Sequence, residues 1–187
     1  MKNTAVFVGS FDPFHEGHKS IVDRALQLFD NVVVGIGVNP EKTYMLSAND
    51  RKEMIRNAYP DELRIAVEVY DDLTIDFARR HNARYIIKGV RNADDFVYEQ
   101  RQALWNKEHG NIETIILLAE PGLENVSSTA IRKEIKKTAD GEKNIIKKNQ
   151  MIYDKRKVIY TRSFKCDKKI FDFIPPSYSY DKLLSLA

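Results

Sequence analysis

The sequence predicts an α/β domain built on a five-stranded parallel sheet with helices on both faces. Three observations predict it. Five short runs are rich in Val, Ile and other apolar residues, as strands buried on both sides are. The stretches between them repeat apolar residues at helical spacing. Glycine and polar residues gather just after the runs, where the loops at the carboxyl ends of parallel strands lie.

Thr4 to Val8 is the first strand, and Gly9 to Gly17 the loop that follows it. Ile21, Val22, Ala25, Leu26 and Phe29 then give a first helix one apolar stripe. Asn31 to Val38 is the second strand, followed by the loop Asn39 to Ser47 and a helix marked by Met54, Ile55 and Ala58. Arg64 to Val69 is the third strand and Arg84 to Lys88 the fourth, with Gly89 to Asn92 as its loop. Phe96, Tyr98, Ala103 and Leu104 mark another helix by the same spacing, before a fifth strand at Ile112 to Leu118 and the loop Glu120 to Ser128. In a parallel sheet these four loops converge on one edge.

After Gly141 the pattern weakens. Met151 to Tyr153 and Val158 to Phe164 read as two short strands around a polar Asp154 to Lys157 turn, and Pro175-Pro176 interrupts any regular element. Residues 138–187 carry eleven Lys/Arg against six Asp/Glu, while the rest of the chain is slightly acidic. We divide the chain into an α/β domain at 1–141, a basic insert at 142–170 and a C-terminal segment at 171–187.

The chain has 187 residues, 43% hydrophobic and 30% charged, which excludes disorder throughout and a fibrous architecture. No apolar run approaches the roughly 18 residues that cross a bilayer, and no apolar signal segment opens the chain, so a cytoplasmic protein without membrane contact is expected. Cys166 is the single cysteine, which leaves no internal disulfide and no tetrahedral thiolate metal site. A function of another class, nucleic-acid binding through the insert, rests on Tyr153, Tyr160 and Phe164 among its basic residues. Such aromatic residues are more often hairpin packing, and a charge run is more often a solvated extension, so nucleic acid is not an expected partner.

The chemistry-bearing residues sit in the predicted loops. Gly9-Ser10-Phe11-Asp12-Pro13-Phe14-His15-Glu16-Gly17-His18 leads from the first strand into the first helix, where outward-pointing amide groups favour an anion and an imidazole adds one more donor. Zinc on His15 and His18 would need a third ligand, and His81 and His109 lie in unrelated segments. Asp12 and Pro13 read as turn formers, with Asp12 accepting local backbone hydrogen bonds. Lys88-Gly89-Val90-Arg91 sets two cations around a glycine at a strand end. Asp94, Asp95 and Glu99 suit the start of a helix, and Ser127-Ser128-Thr129 reads as a helix N-terminus.

Taken together, Gly9 to His18 resembles the signature loop of the nucleotidylyltransferase superfamily, a Rossmann-like fold. Val38-Asn39-Pro40-Glu41-Lys42, Ile87 to Glu99 and Ser127 to Arg132 resemble, in the same order, the segments of the phosphopantetheine adenylyltransferase family. The resemblance spans Thr4 to Lys137. It implies transfer of the AMP portion of ATP to 4′-phosphopantetheine, giving dephospho-coenzyme A and pyrophosphate. His18 is then the residue at the α-phosphate that stabilises the transition state, Ser10 a hydroxyl donor to phosphate, and Lys42 the cation that holds the acceptor phosphate. Lys88 is placed on substrate phosphate, and Asp72, Leu73, Thr74 and Asn106 along the pantetheine arm. Phe11, Gly89, Val90, Arg91 and Glu99 line the ATP site, with Leu123, Glu124, Asn125, Val126, Ser127, Ser128 and Thr129 closing it. Mg²⁺ is implied as the companion of ATP, with no protein ligand named. A homo-oligomer, commonly a hexamer, and feedback binding of coenzyme A are implied as well.

Two departures stand out. His15 occupies a position where the family more often has Thr, and Lys88 one where it more often has Arg. His15, with Ser-Ser-Thr followed by Arg132, keeps a nicotinate or nicotinamide mononucleotide acceptor as the alternative. Lys42 and the segment Lys88 to Glu99 favour phosphopantetheine.

Overall fold

The computed structural model describes residues 2–137, in which strand and helix alternate. The strands are β1 (Thr4–Gly9), β2 (Asn31–Gly37), β3 (Ile65–Tyr70), β4 (Tyr85–Val90) and β5 (Glu113–Leu118). The helices are α1 (Glu16–Leu28), α2 (Ala48–Ala58), α3 (Thr74–Arg80) and α4 (Ala93–Gly110), followed by a helical stretch over residues 128–137, here α5. The expected insert 142–170, the segment 171–187 and the two strands read after residue 150 lie outside the described residues.

All pairings are parallel, in the order β3-β2-β1-β4-β5. The chain winds outward from β1 to β3, then returns to the other side of β1 to lay down β4 and β5. Ligand crevices form where the winding direction reverses, which here is the seam between β1 and β4. That seam pairs three positions, Ala5 with Tyr85, Val6 with Ile86 and Phe7 with Ile87, whereas β1 pairs with β2 over six. Beyond Phe7 the two strands part, and the gap opens toward the carboxyl edge.

Alternation along β1 divides the core. Ala5 and Phe7 face Ile21, Val22 and Ala25 of α1, Met54 and Ile55 of α2, and Ile131 and Ile135 of α5. Val6 and Val8 face Ile75, Phe77 and Ala78 of α3. The opposite faces of the sheet thus carry separate apolar clusters, as a doubly covered parallel sheet requires. Gly35 of β2 is essential to the second, because a Cβ there would lie 2.5 Å from the Phe77 ring. Without one, Phe77 lies flat and stacks on Tyr70 with ring centroids 4.3 Å apart.

Side-chain caps start the helices at the carboxyl edge. Ser47 Oγ accepts the Asp50 N–H for α2, Asn92 Oδ1 accepts the Asp95 N–H for α4, and Ser127 Oγ accepts the Ala130 N–H for α5. Two elements show the limits of spacing. α3, in the segment with His81 that strand–helix alternation makes helical, has seven residues, too few to display a helical period. α4 is helical as expected, but Phe96, Tyr98 and Leu104 are 42%, 63% and 66% exposed and its buried residue is Asn106. Spacing identifies a helix without saying what covers its stripe.

Candidate active site

The carboxyl edge holds a cleft of about 800 Å³ over the β1/β4 seam. Its floor is Phe7, Val8 and Gly9 of β1 with Lys88 to Val90 of β4, and its walls are the loops after β1, β2 and β5 and the first turns of α4. Among the sequence candidates, Ser10, Phe11, His18, Lys42, Lys88, Gly89, Val90, Arg91, Glu99, Leu123, Val126, Ser127, Ser128 and Thr129 line it. Glu124 and Asn125 are exposed beside it and do not. Asp72 is ion-paired with Arg80, Leu73 is the exposed N-cap of α3, and Thr74 Oγ1 is hydrogen-bonded to Tyr70 Oη; all three stand at the next turn along the edge, outside the cleft. Asn106 is buried on α4, its carbonyl accepting the N–H groups of Asn111 and Ile112, and it too lies outside.

The loop after β1 is shaped by its aromatic residues. Phe11 has φ 50°, a left-handed backbone that an aromatic residue rarely adopts, and its ring folds back over Gly9, where a Cβ would meet it at 3.1 Å. Phe11 and Phe14 are buried and flank the His18 ring at 5.0 and 5.6 Å between centroids. His15 closes the third side, stacked on His18 at 3.6 Å. Gly17 makes room for this arrangement, since a Cβ there would lie 3.0 Å from the His15 ring.

The two histidines cap α1 reciprocally. His15 Nδ1 accepts the His18 N–H at 3.4 Å, and His18 Nδ1 accepts the His15 N–H at 3.3 Å. An accepting Nδ1 puts the proton of each neutral ring on Nε2. Burial and the nearby Arg91 lower the His15 pKa to about 4. His18 is held well below its ordinary value by burial first, then by His15 and Arg91. Near pH 7 His18 is therefore a neutral imidazole with an Nε2–H donor, fixed in orientation by its neighbours. His15, where the family resemblance expects Thr, does the work of an N-cap.

The cations of the cleft are held in different ways. Lys42 is exposed on the loop after β2 and makes no ion pair among the described residues. Lys88 Nζ lies 3.1 Å from Glu99 Oε2, both side chains being largely buried. Arg91 is gripped by Asp95, with Nε to Oδ2 at 2.7 Å and Nη2 to Oδ1 at 3.0 Å, which holds the Asp95 carboxyl below its usual range. Ser128 Oγ donates to the Pro13 carbonyl at 2.9 Å, and Arg132 donates to the Asp12 carbonyl, so the start of α5 is tied to the loop after β1.

Asp12 departs from the expected local turn. Its buried carboxylate reaches across to the loop after β2 and accepts the Met45 and Leu46 N–H groups, each at 2.8 Å. Sequence reasoning also missed Arg51. In sequence it is one charge on a polar helix, yet it is 1% exposed, donates to the Ser10 carbonyl at 2.7 Å and lies over the Tyr44 ring at 4.2 Å. No local pattern marks it, because its burial comes from loops that close over α2.

Comparison with known proteins agrees with this geometry. A sequence profile described as cytidylyltransferase-like matches residues 6–134. A protein of Bacteroides fragilis named phosphopantetheine adenylyltransferase is 51% identical over 68% of this chain and 85% of its own length. One of the same name from Bacteroides thetaiotaomicron is 48% identical over the same shares. Among solved structures, a bifunctional NMN adenylyltransferase/ADP ribose pyrophosphatase from Francisella tularensis superposes with a TM-score of 0.55 at 22% identity, over 75% of this chain and 43% of that one. That likeness is one of fold.

Proposed function

Because the chain belongs to the cytidylyltransferase-like family and, within it, to the phosphopantetheine adenylyltransferases, it transfers the adenylyl group of ATP to 4′-phosphopantetheine in coenzyme A biosynthesis, and we propose that the cleft over the β1/β4 seam is where it does so. The observation that carries this reading is convergence. Ser10, His18, Lys42, Lys88, Arg91 and Ser127 to Thr129, scattered over four loops, line one cleft.

In this reading no protein nucleophile is needed. An oxygen of the acceptor phosphate attacks the α-phosphorus of ATP, the new O–P bond forms, the α–β bridging P–O bond breaks, and pyrophosphate leaves. Catalysis then consists of aligning two anions and stabilising charge on the α-phosphate. Lys42 holds the acceptor phosphate as a compact point charge. His18 Nε2–H donates to a non-bridging α-oxygen, and its depressed pKa keeps it a donor without a titrating proton near pH 7. The Ser10 hydroxyl assists it. Arg91 and the open amides of Ser127 to Thr129 take the β- and γ-phosphates, as a helix N-terminus favours. Phe11, Gly89, Val90, Leu123 and Val126 bound the nucleotide, with Glu124 and Asn125 at its rim. Lys88 leaves Glu99 for substrate phosphate as a simple charge contact, without the planar fork of an arginine.

Mg²⁺ is proposed to enter with ATP, held by phosphate oxygens and water, where it offsets charge on the leaving pyrophosphate. Of the carboxylates that line the cleft, Asp95 and Glu99 each face a cation, Arg91 and Lys88, which leaves the ion to the oxygens of the nucleotide in this reading. The pantetheine arm is proposed to run toward Asp72, Leu73 and Thr74, with Asn106 as a further contact. A homo-oligomer, a hexamer on the family resemblance, is supported by the exposed Phe96, Val97, Leu104 and Leu118. Coenzyme A is proposed as a feedback ligand, and the cytoplasm as the location. Among the described residues no helix is long and apolar enough to cross a membrane.

The test supplies the protein with ATP, Mg²⁺ and either phosphopantetheine or nicotinate mononucleotide, and measures pyrophosphate. Release with phosphopantetheine is expected. Release with the mononucleotide alone would overturn the reading.

A further inference from the structure

We propose that Arg51 is a positioning residue for adenylyl transfer, a strut that sets the loop carrying Ser10 against the loop carrying Lys42; the proposal rests on the functional reading above. Arg51 sits on α2, behind both loops, and is not among the residues lining the cleft. It therefore acts through its neighbours. Toward the first loop, Nη1 donates to the Ser10 carbonyl at 2.7 Å. Toward the second, the guanidinium carbon lies over the Tyr44 ring, 4.2 Å from its centroid, and Nε donates to the Ser47 carbonyl at 3.4 Å. Tyr44 Oη in turn accepts the Asn39 N–H at 2.9 Å, so the chain on both sides of Lys42 is fixed to one buried cation.

Asp12 completes the strut from the other loop, its carboxylate accepting the Met45 and Leu46 N–H groups. The Asp12 charge favours the charged form of Arg51, against burial, which lowers its pKa. Charge and fork are both used at this site, the fork through Nε and Nη1. A lysine would keep the first and lose the second.

The consequence is kinetic. Ser10 and His18 address the α-phosphate and Lys42 the acceptor phosphate, so the distance between the reacting groups is the distance between the two loops. Slack of about 1 Å in such an alignment costs about 100-fold in rate. Each loop keeps its own phosphate-binding groups, so affinity for either substrate alone changes little.

The experiment compares native protein with Arg51→Ala and Arg51→Lys, confirming folded secondary structure by circular dichroism. For Arg51→Ala, kcat should fall about 100-fold with KM for both substrates changed by less than about threefold. Guanidinium at millimolar concentration should restore activity at least tenfold relative to sodium chloride of equal ionic strength. Arg51→Lys should remain at least about tenfold below native. Hydrogen exchange across residues 39–47 should quicken in both variants. A kcat within threefold of native in either folded variant, equal rescue by sodium chloride, or unchanged exchange at 39–47 would overturn the proposal. If Arg51→Ala does not fold, the Arg51→Lys kcat and exchange decide. If the native protein releases no pyrophosphate, the functional reading fails instead, and the exchange measurement still tests the strut.

Discussion

At the scale of single residues, the role proposed for His18 turns on an imidazole that burial keeps neutral near pH 7. His18→Ala is expected to lower turnover by about 100-fold or more with ATP binding largely kept, because a donor aimed at developing charge acts chiefly in the transition state. Steady-state kinetics beside a nucleotide-binding isotherm will separate the effects; unchanged turnover in a folded variant would make His18 structural. His15 contributes to stability instead. Its folded pKa of about 4 lies below the ordinary 6.5, so between those values the unfolded chain binds a proton that the folded chain refuses. Stability therefore falls as pH drops through that window, by about 3 kcal/mol over its full width. His15→Thr, which keeps a capping oxygen and removes the titration, should flatten the difference in denaturant midpoint between pH 7 and pH 4.5. An identical slope in both proteins would contradict that assignment. The place of Ser10 to His18 in one loop at the carboxyl edge was legible because loop, glycines and helix start are adjacent in sequence. The reach of Asp12 to Met45 and Leu46 was not, since it depends on how separate loops meet.

At the scale of elements, the strands were legible to within a residue or two: burial on both faces leaves β1 and β2 continuously apolar, and the edge strands β3 and β5, only partly covered, remain rich in Val, Ile and Leu. α3 was too short to show a period, and the α4 stripe of Phe96, Tyr98 and Leu104 shows one that the described chain does not bury. Gly35 of β2 illustrates a different blind spot. In sequence it interrupts a strand, yet the contact that requires it comes from Phe77 of α3. Gly35→Val should overfill this joint and destabilise the fold by about 1–3 kcal/mol, read from urea denaturation. Little effect on the midpoint would mean that Phe77 can swing away at no cost.

At the scale of the whole molecule, the phosphate-handling candidates all precede the basic insert. Replacing Lys143 to Lys169 by a short Gly/Ser linker is expected to leave turnover intact, because the entropy of loop closure changes by only about 0.6 kcal/mol per doubling of length. Any contribution of its charge to substrate capture should fade at high salt. A large loss of turnover that persists at high salt, with the oligomer size unchanged, would show that the insert reaches the active site.

The three-position seam between β1 and β4 has a consequence for how the molecule endures heat. It is the shortest join in the sheet; Ser10, His18 and Lys42 follow strands on one side of it, and Lys88, Arg91 and Ser127 to Thr129 belong to or follow strands on the other. A nucleotide bound as proposed, gripping both sides, would act as a clasp across this join. By mass action such a ligand adds about 2.7 kcal/mol at a hundred times its dissociation constant. The melting temperature should therefore climb with ATP concentration in a thermal-shift titration, and a flat response at saturating ATP would mean that the folded protein does not bind ATP. Where ATP is scarce, the empty protein lacks that increment, so its lifetime would follow the energy supply around it.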